Sequence, residues 1–489
     1  MAVSKKQFAA NAVWKILEQF SAKGITMLVS IVLLRLVPPA DHGLIALIAR
    51  FTNLSDILID GGFSTALIRK ETVDDYDYNA VFSISFLISS VLYAVLFFAS
   101  PFASDYYQTP QLTPVLRVMG ILFFIQSFNA VRNGIVNRNM QFKLLFVSNS
   151  ISSIISGVLG IVAAYAGLGV WAIVIQRLSQ QAIMTIILVF KVNWHIRWRF
   201  DFARIKQMLS FSLGVVGSSL LNYVGGSIYS IVIGKRYSVT DLGYYDKGAQ
   251  LPMQFSLYTF GSMSNVLLPT LSSCQTDLER VKTVIRKVVA MTSFLIIPMM
   301  TGMAFVSREL VIILFTDVWL PAVPVMQYSC LYYLATPFML INIQVFFALG
   351  KSRLRVKTEI IRLILIFMGL GIFGFALKCS MNELALVSAF IACIVSFVTY
   401  VEVRRMIDYN LGEVLADMWK PAIGSAAMAA VLFFLNRLIQ ADSLILILII
   451  KVFAGVVVYL AFALLLRMPE LRDVLGIMKV FKKKEEEST

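Results

Sequence analysis

Apolar runs about as long as a bilayer is thick recur from one end of this 489-residue chain to the other. About 20 apolar residues in a helix cross the hydrocarbon core of a membrane. Runs of that length stand near 11–36, 42–67, 79–100, 113–136, 143–166 and 168–191, and again near 207–234, 244–269, 289–314, 323–349, 358–378, 380–403, 419–438 and 442–466. They are too long and continuous for the ten-residue alternating segments of a membrane barrel. Hydrophobic residues make up 58% of the chain and charged residues only 15%, against about 25% charge in soluble proteins. The expected fold is therefore an all-α integral membrane protein of about fourteen transmembrane helices, with no soluble domain.

The net charge of +15 would suggest nucleic acid in a soluble protein. Here the bases flank apolar runs, which is the cytoplasmic excess of Lys and Arg that sets membrane topology. With the N-terminus inside, the bias persists through every connection to the tail Lys482-Lys483-Lys484, and the outer segments hold only Lys235, Arg236, Lys378 and Arg437. Both termini are expected in the cytoplasm, with membrane lipid and not nucleic acid as the partner. The outer connections are too short for a binding domain, and the basic inner connections 192–206 and 270–288 are expected to lie on the lipid surface as amphipathic segments. Four cysteines without a CxxC pair (Cys274, Cys330, Cys379, Cys393) and two histidines (His42, His195) offer neither a disulfide framework nor a metal site. No cofactor is expected.

A 200-residue offset aligns Arg35-Leu-Val-Pro-Pro-Ala-Asp41-His-Gly43 with Lys235-Arg-Tyr-Ser-Val-Thr-Asp241-Leu-Gly243. Each Asp-x-Gly follows the first span of a six-span series. Six is even, so the halves share an orientation and are related by a pseudo-twofold axis along the membrane normal. The expected organisation is an N-lobe at 1–206, a C-lobe at 207–403, and two further spans with the cytoplasmic tail at 404–489.

No GxxxxGK[ST] loop is present. Gly369-Leu-Gly371-Ile-Phe-Gly374 matches GxGxxG, but it lies inside an apolar span with no preceding strand and reads as a helix-packing surface. The informative residues are polar ones at helical spacing. The first span carries Lys15, Glu18 with Gln19, Lys23 and Thr26 on one stripe; the second carries Arg50, Asn53, Asp56, Asp60 and Ser64; the seventh Ser218 and Asn222; the eighth Lys247, Gln250 and Gln254. A charge at the bilayer centre costs roughly 2.5–3.5 kcal/mol, so such faces turn to a cavity or a partner. Lys23, Arg50 and Lys247 are the candidate basic groups for an anionic substrate, with Gln19, Asn53, Asn222, Gln250 and Gln254 as polar lining. Glu18, Asp56 and Asp60 are the candidates for a coupling proton or sodium ion. Arg117, Arg132, Arg308 and Arg362 read as packing or interface residues.

Val32-Leu-Leu-Arg-Leu-Val-Pro-Pro-Ala-Asp41-His-Gly43-Leu-Ile-Ala, then Asp60-Gly-Gly-Phe-Ser-Thr-Ala-Leu-Ile68, resembles the opening of the Wzx-type polysaccharide flippases of the multidrug/oligosaccharidyl-lipid/polysaccharide exporter superfamily. The resemblance continues through Gly169-Val-Trp171-Ala-Ile-Val-Ile-Gln176, Leu242-Gly243-Tyr-Tyr245 and Trp319-Leu-Pro-Ala-Val-Pro-Val-Met326, and is nearest to the colanic acid and teichuronic acid exporters. It implies a two-lobed protein of the bacterial inner membrane, no enzyme, that moves an undecaprenyl-diphosphate-linked oligosaccharide to the periplasmic leaflet by alternating access. Polymerase and glycosyltransferases of the same pathway are the implied protein partners. Lys23, Arg50 and Lys247 come from helical phase and are not family residues carried over. Two other readings stay open. A cation-coupled multidrug exporter of the same superfamily would rest on Glu18, Asp56 or Asp60, and a polysaccharide polymerase or membrane glycosyltransferase would show a large periplasmic loop or a cytoplasmic carboxylate motif, against which the short outer loops argue.

Overall fold

The computed structural model describes residues 24–70, 73–198, 202–438 and 443–473, and every regular element among them is helical. In chain order these are α1 (Gly24–Leu36), α2 (Pro39–Asp60), α3 (Phe63–Arg69), α4 (Asp75–Tyr107), α5 (Leu112–Met119), α6 (Ile121–Arg138), α7 (Phe142–Tyr165), α8 (Val170–Lys191) and α9 (Phe202–Arg236). Then come α10 (Val239–Ser273), α11 (Leu278–Phe305), α12 (Ser307–Leu314), α13 (Ala322–Ala348), α14 (Ser352–Gly369), α15 (Met381–Ile407), α16 (Leu411–Leu438) and α17 (Leu444–Leu465). Eleven helical spans among the described residues are long and apolar enough to cross a membrane. The other three expected spans coincide with α1, described from Gly24 onward, and with α9 and α10, each of 35 residues. The second expected span is two helices, because Gly61 (φ 53°) and Gly62 (φ 71°) adopt the left-handed conformation that ends α2 and turns the chain into α3.

Burial is inverted relative to a soluble protein. On α7, Ser148, Ser152, Ser153 and Ser156 are buried, while Ile151, Ile154, Ile155, Val158 and Val162 are exposed. Small residues let helices approach closely in a membrane, and the large apolar ones face lipid. Gly160 shows how close: a Cβ there would lie 2.6 Å from Cβ of Gln176 on α8. The chain is a multi-pass membrane protein.

By contact the chain divides into two compact units, residues 1–243 and 244–489. In the first, α7 packs on α8, α4 on α6, and α2 on α6 and α9. Its core gathers Phe63, Leu67, Phe82, Val131, Leu188 and Trp194. In the second, α13 packs on α15, and α16 lies between α11 and α17. Arg286 of α11 holds Asp417 of α16 through Nε and Nη2 at 3.0 and 2.9 Å, and Lys282 pairs with Glu413 at 3.0 Å. Buried Tyr409, in the turn before α16, donates to Asp417 at 2.9 Å; its burial, with the carboxylate beside it, pushes the phenol pKa up and keeps it a donor. Lys451, eight residues into α17, is buried against Glu309 of α12.

The connection after α8 departs from the expectation of a surface amphipathic segment. After Lys191 the chain is irregular to residue 198 and docks on protein. Trp194 is buried against Phe82, with the Arg132 guanidinium 5.1 Å from its ring centroid, and the Arg197 amide donates to Asn79 at 2.7 Å. An aromatic cluster offers Trp194 more burial than a lipid surface does. Between α10 and α11 only residues 274–277 are non-helical, and Asp277 caps α11 by accepting from the Arg280 amide. The GxGxxG run is not the expected packing seam throughout. It enters a π-helical turn (Leu370–Ala376) in which Gly374 meets Leu384, while Gly371 faces open space. Arg132 and Arg117 do pack: Arg117 bonds Ser100 at 3.1 Å and covers Phe97.

The 200-residue offset reappears in the helix boundaries. α1 ends at Leu36 and α9 at Arg236; α2 begins at Pro39 and α10 at Val239. Within the first unit the two Asp-x-Gly turns meet. A Cβ on Gly43 would collide with the Val239 carbonyl, 2.7 Å from its carbon, and one on Gly243 would collide with the carbonyl of Pro39. Gly43 thus meets the residue four before Gly243, and Gly243 the residue four before Gly43, the reciprocal contact that a pseudo-twofold relation gives.

Candidate functional site

The polar stripe of α2 is built from its middle outward. Arg50 is the twelfth of 22 residues, mid-span at 1.5 Å per residue, and Asn53, Asp56 and Asp60 follow at helical intervals. Arg50 and Asp56 are half-buried and Asn53 is exposed. Across from them, Tyr223 of α9 donates its hydroxyl to the Arg50 carbonyl at 2.6 Å and lies within the electrostatic reach of both the Arg50 and Asp56 side chains. Asp56 also interacts with Arg177 of α8 and with Asp60, one turn away. Asp60 takes the hydroxyl of Ser64, which also lies 3.1 Å from the Ala130 carbonyl of α6. Thr185 of α8 donates to Asn129 of α6 at 2.8 Å, with Gln181 next to both.

Tyr223 and the α8 series Arg177, Gln181, Thr185 were not singled out from the sequence. The second had a signal, polar residues at i, i+4 and i+8. Tyr223 had none, since it sits one position off the α9 stripe and only the approach of α9 to α2 gives its hydroxyl a role.

In the second unit Lys247, Gln250 and Gln254 share one face of α10. Lys247 Nζ lies 3.3 Å from Gln250 Oε1 and 3.7 Å from the Asp246 carboxylate, and its side chain is largely buried. Gly248 lets the helix sit against the Ala322 carbonyl of α13, where a Cβ would be at 2.8 Å. Of the remaining candidates, Glu18, Gln19 and Lys23 lie outside the described residues, and Asn222 is on α9 but its side chain is outside the described set.

Guanidinium, carboxylate and phenol groups at mid-span are costly toward lipid. The α2, α8 and α9 group therefore suits a hydrated path with mixed charge, able to hold an anionic head group on arginine and a small cation on carboxylate. Nothing in it resembles a nucleophile oriented by a base.

The succinoglycan biosynthesis transport protein ExoT of Rhizobium meliloti (strain 1021) is 25% identical over 328 residues, 66% of this chain and 66% of that one. The teichuronic acid biosynthesis protein TuaB of Bacillus subtilis (strain 168) is 23% identical over 384 residues, 78% and 79% of the two chains. In fold, the chain is similar to the lipid II flippase MurJ in an inward closed conformation, with a TM-score of 0.75, 17% identity, and coverage of 95% of this chain and 100% of that one. The model of a family described as polysaccharide biosynthesis protein matches residues 32–324, well over half of the sequence. By that match, on an all-helical membrane fold with polar groups at mid-span, the chain belongs to the polysaccharide biosynthesis protein family.

Proposed function

We propose that this protein is a flippase that moves an undecaprenyl-diphosphate-linked oligosaccharide from the cytoplasmic to the periplasmic leaflet of a bacterial inner membrane, for surface polysaccharide assembly. The polyprenyl tail stays in lipid, the diphosphate and sugars enter a polar cavity, and no bond is made or broken. The reading rests above all on the mid-span group around Arg50, because a transporter of purely apolar cargo has no use for a guanidinium at that depth. Relatives named for succinoglycan transport and teichuronic acid biosynthesis support the glycan as cargo.

The cavity face is assigned to Lys23, Arg50 and Lys247 as basic contacts and to Gln19, Asn53, Asn222, Gln250 and Gln254 as polar ones. Glu18, Asp56 and Asp60 are assigned to a coupling proton or sodium ion. Reciprocal packing of the Gly43 and Gly243 turns supports two lobes of one ancestry, 1–206 and 207–403, with 404–489 appended. The charge bias supports a cytoplasmic position for both termini.

The test is a deletion strain complemented with the wild-type chain or with Arg50→Ala. Surface polysaccharide and lipid-linked intermediate are measured at matched protein abundance. Intermediate that accumulates on deletion, and again with Arg50→Ala, is the expected result. Unchanged surface polysaccharide and intermediate in the deletion strain would overturn the function, and a fully active Arg50→Ala would overturn the site.

A further inference from the structure

The first unit holds a second polar place, well away from Arg50. A cavity of about 470 Å³ opens between the N-terminus of α2, the end of α4 with the turn after it, and the turn that joins α9 to α10. By the charge pattern this is the outer end of the unit. Its chemistry comes from Tyr106, Tyr107, Gln108, Gln111, Lys235 and Tyr237. Tyrosines at the end of a span are ordinary interfacial anchors. Two glutamines and a lysine converging on a concave surface with them are not explained by anchoring. Lys235 is also one of the few bases on the outer side, where the topological bias works against it.

Several groups of the wall are already engaged. Ser238, also in the wall, is committed to capping α10: it donates to Asp241 at 2.7 Å and accepts from the Asp241 amide at 2.9 Å. Asp41 is engaged by the backbone of Val170. Gln111, the N-cap residue of α5, makes no capping bond with its side chain. Gln108 ends α4 at φ 52°, a position that usually takes glycine, and lines the wall. Lys235 donates to the Tyr106 carbonyl and sits 4.1 Å from the Tyr106 ring centroid. An ammonium has three donors, so at least one remains for a ligand. Ring faces suit the C–H faces of a pyranose, and side-chain amides suit its neighbouring hydroxyls. The volume falls within the roughly 300–1,000 Å³ of small-molecule sites. One lysine with Asp41 in the same wall is poorly suited to a phosphate, which favours arginine forks or several bases.

We propose that this cleft binds a short saccharide, with Tyr106, Gln108 and Gln111 contacting the rings and Lys235 contacting a carboxylate substituent. It would receive the head group on the outer side, and in that respect it rests on the export reading. The test uses full-length protein in lipid nanodiscs and saturation-transfer NMR, with two probes, cellobiose and its acidic counterpart glucuronosyl-β-1,4-glucose. Both should bind the wild type, the acidic one several-fold more tightly. Tyr106→Ala combined with Gln111→Ala, both exposed positions, should weaken both probes at least tenfold. Lys235→Gln should abolish only the preference for the acid. Absence of transfer to either probe, or transfer undiminished in the double variant, would overturn the site; a preference that survives Lys235→Gln would overturn the lysine's role. Because binding is read without transport, a failure here is distinct from a failure of the export reading, which the deletion strain reports.

Discussion

Gly43→Ala should part the two Asp-x-Gly turns. The added methyl would overlap the Val239 carbonyl, whose carbon must move from 2.7 Å out to at least 3.4 Å for ordinary contact. Overpacking costs about 1–3 kcal/mol, and here the obstructing atoms are backbone that cannot rotate aside. A value of roughly 2–3 kcal/mol is therefore expected, about one and a half to two decades in the population of the packed arrangement. Gly243→Ala should cost a similar amount, since its Cβ meets Pro39 in the same way. The pair should be strongly non-additive, because helices already parted for one methyl have room for the second. The assay is cross-linking of Ala40→Cys with Thr240→Cys, two positions in the wall of one cavity, by a short bifunctional thiol reagent in a background free of the native cysteines. Cross-linking should fall for either alanine variant and fall little further for both. Rates equal to the parent's, or losses that simply add, would refute the reciprocal contact.

Other substitutions test other contacts. Lys451→Met should destabilise the protein by about 3–5 kcal/mol, since it strands buried Glu309, whereas Lys451→Met with Glu309→Gln should return close to wild type; thermal unfolding in detergent measures both. Asp417→Asn should cost about 1–2 kcal/mol by weakening the forked bond from Arg286 and the Tyr409 bond, read in the same assay. Tyr223→Phe should lose about 1 kcal/mol for its bond to the Arg50 carbonyl. Arg50→Ala keeps that backbone bond and should lower export with little loss of stability, as complementation and unfolding together will show.

Chain length and apolar periodicity alone determined the fold class, because a bilayer admits few solutions for runs of this length. They also located most of the spans, and the aligned Asp-x-Gly segments gave the 200-residue offset between α2 and α10. Intramembrane polar residues such as Arg50 and Lys247 were legible for the same reason, since a charge is conspicuous where the solvent is hydrocarbon. What periodicity cannot carry is which helix lies opposite. Tyr223 acquires its role only because α9 packs on α2, and the α8 series Arg177, Gln181 and Thr185 only because α8 meets α6 and α2. The tuck of Trp194 into an aromatic cluster was equally invisible, because a basic, aromatic connection has the composition of a surface helix until its neighbours are known. Helical phase says which residues share a face. Only the tertiary structure decides what that face meets, because close approach depends on small residues such as Gly43 and Gly160 whose effect is felt on the partner helix.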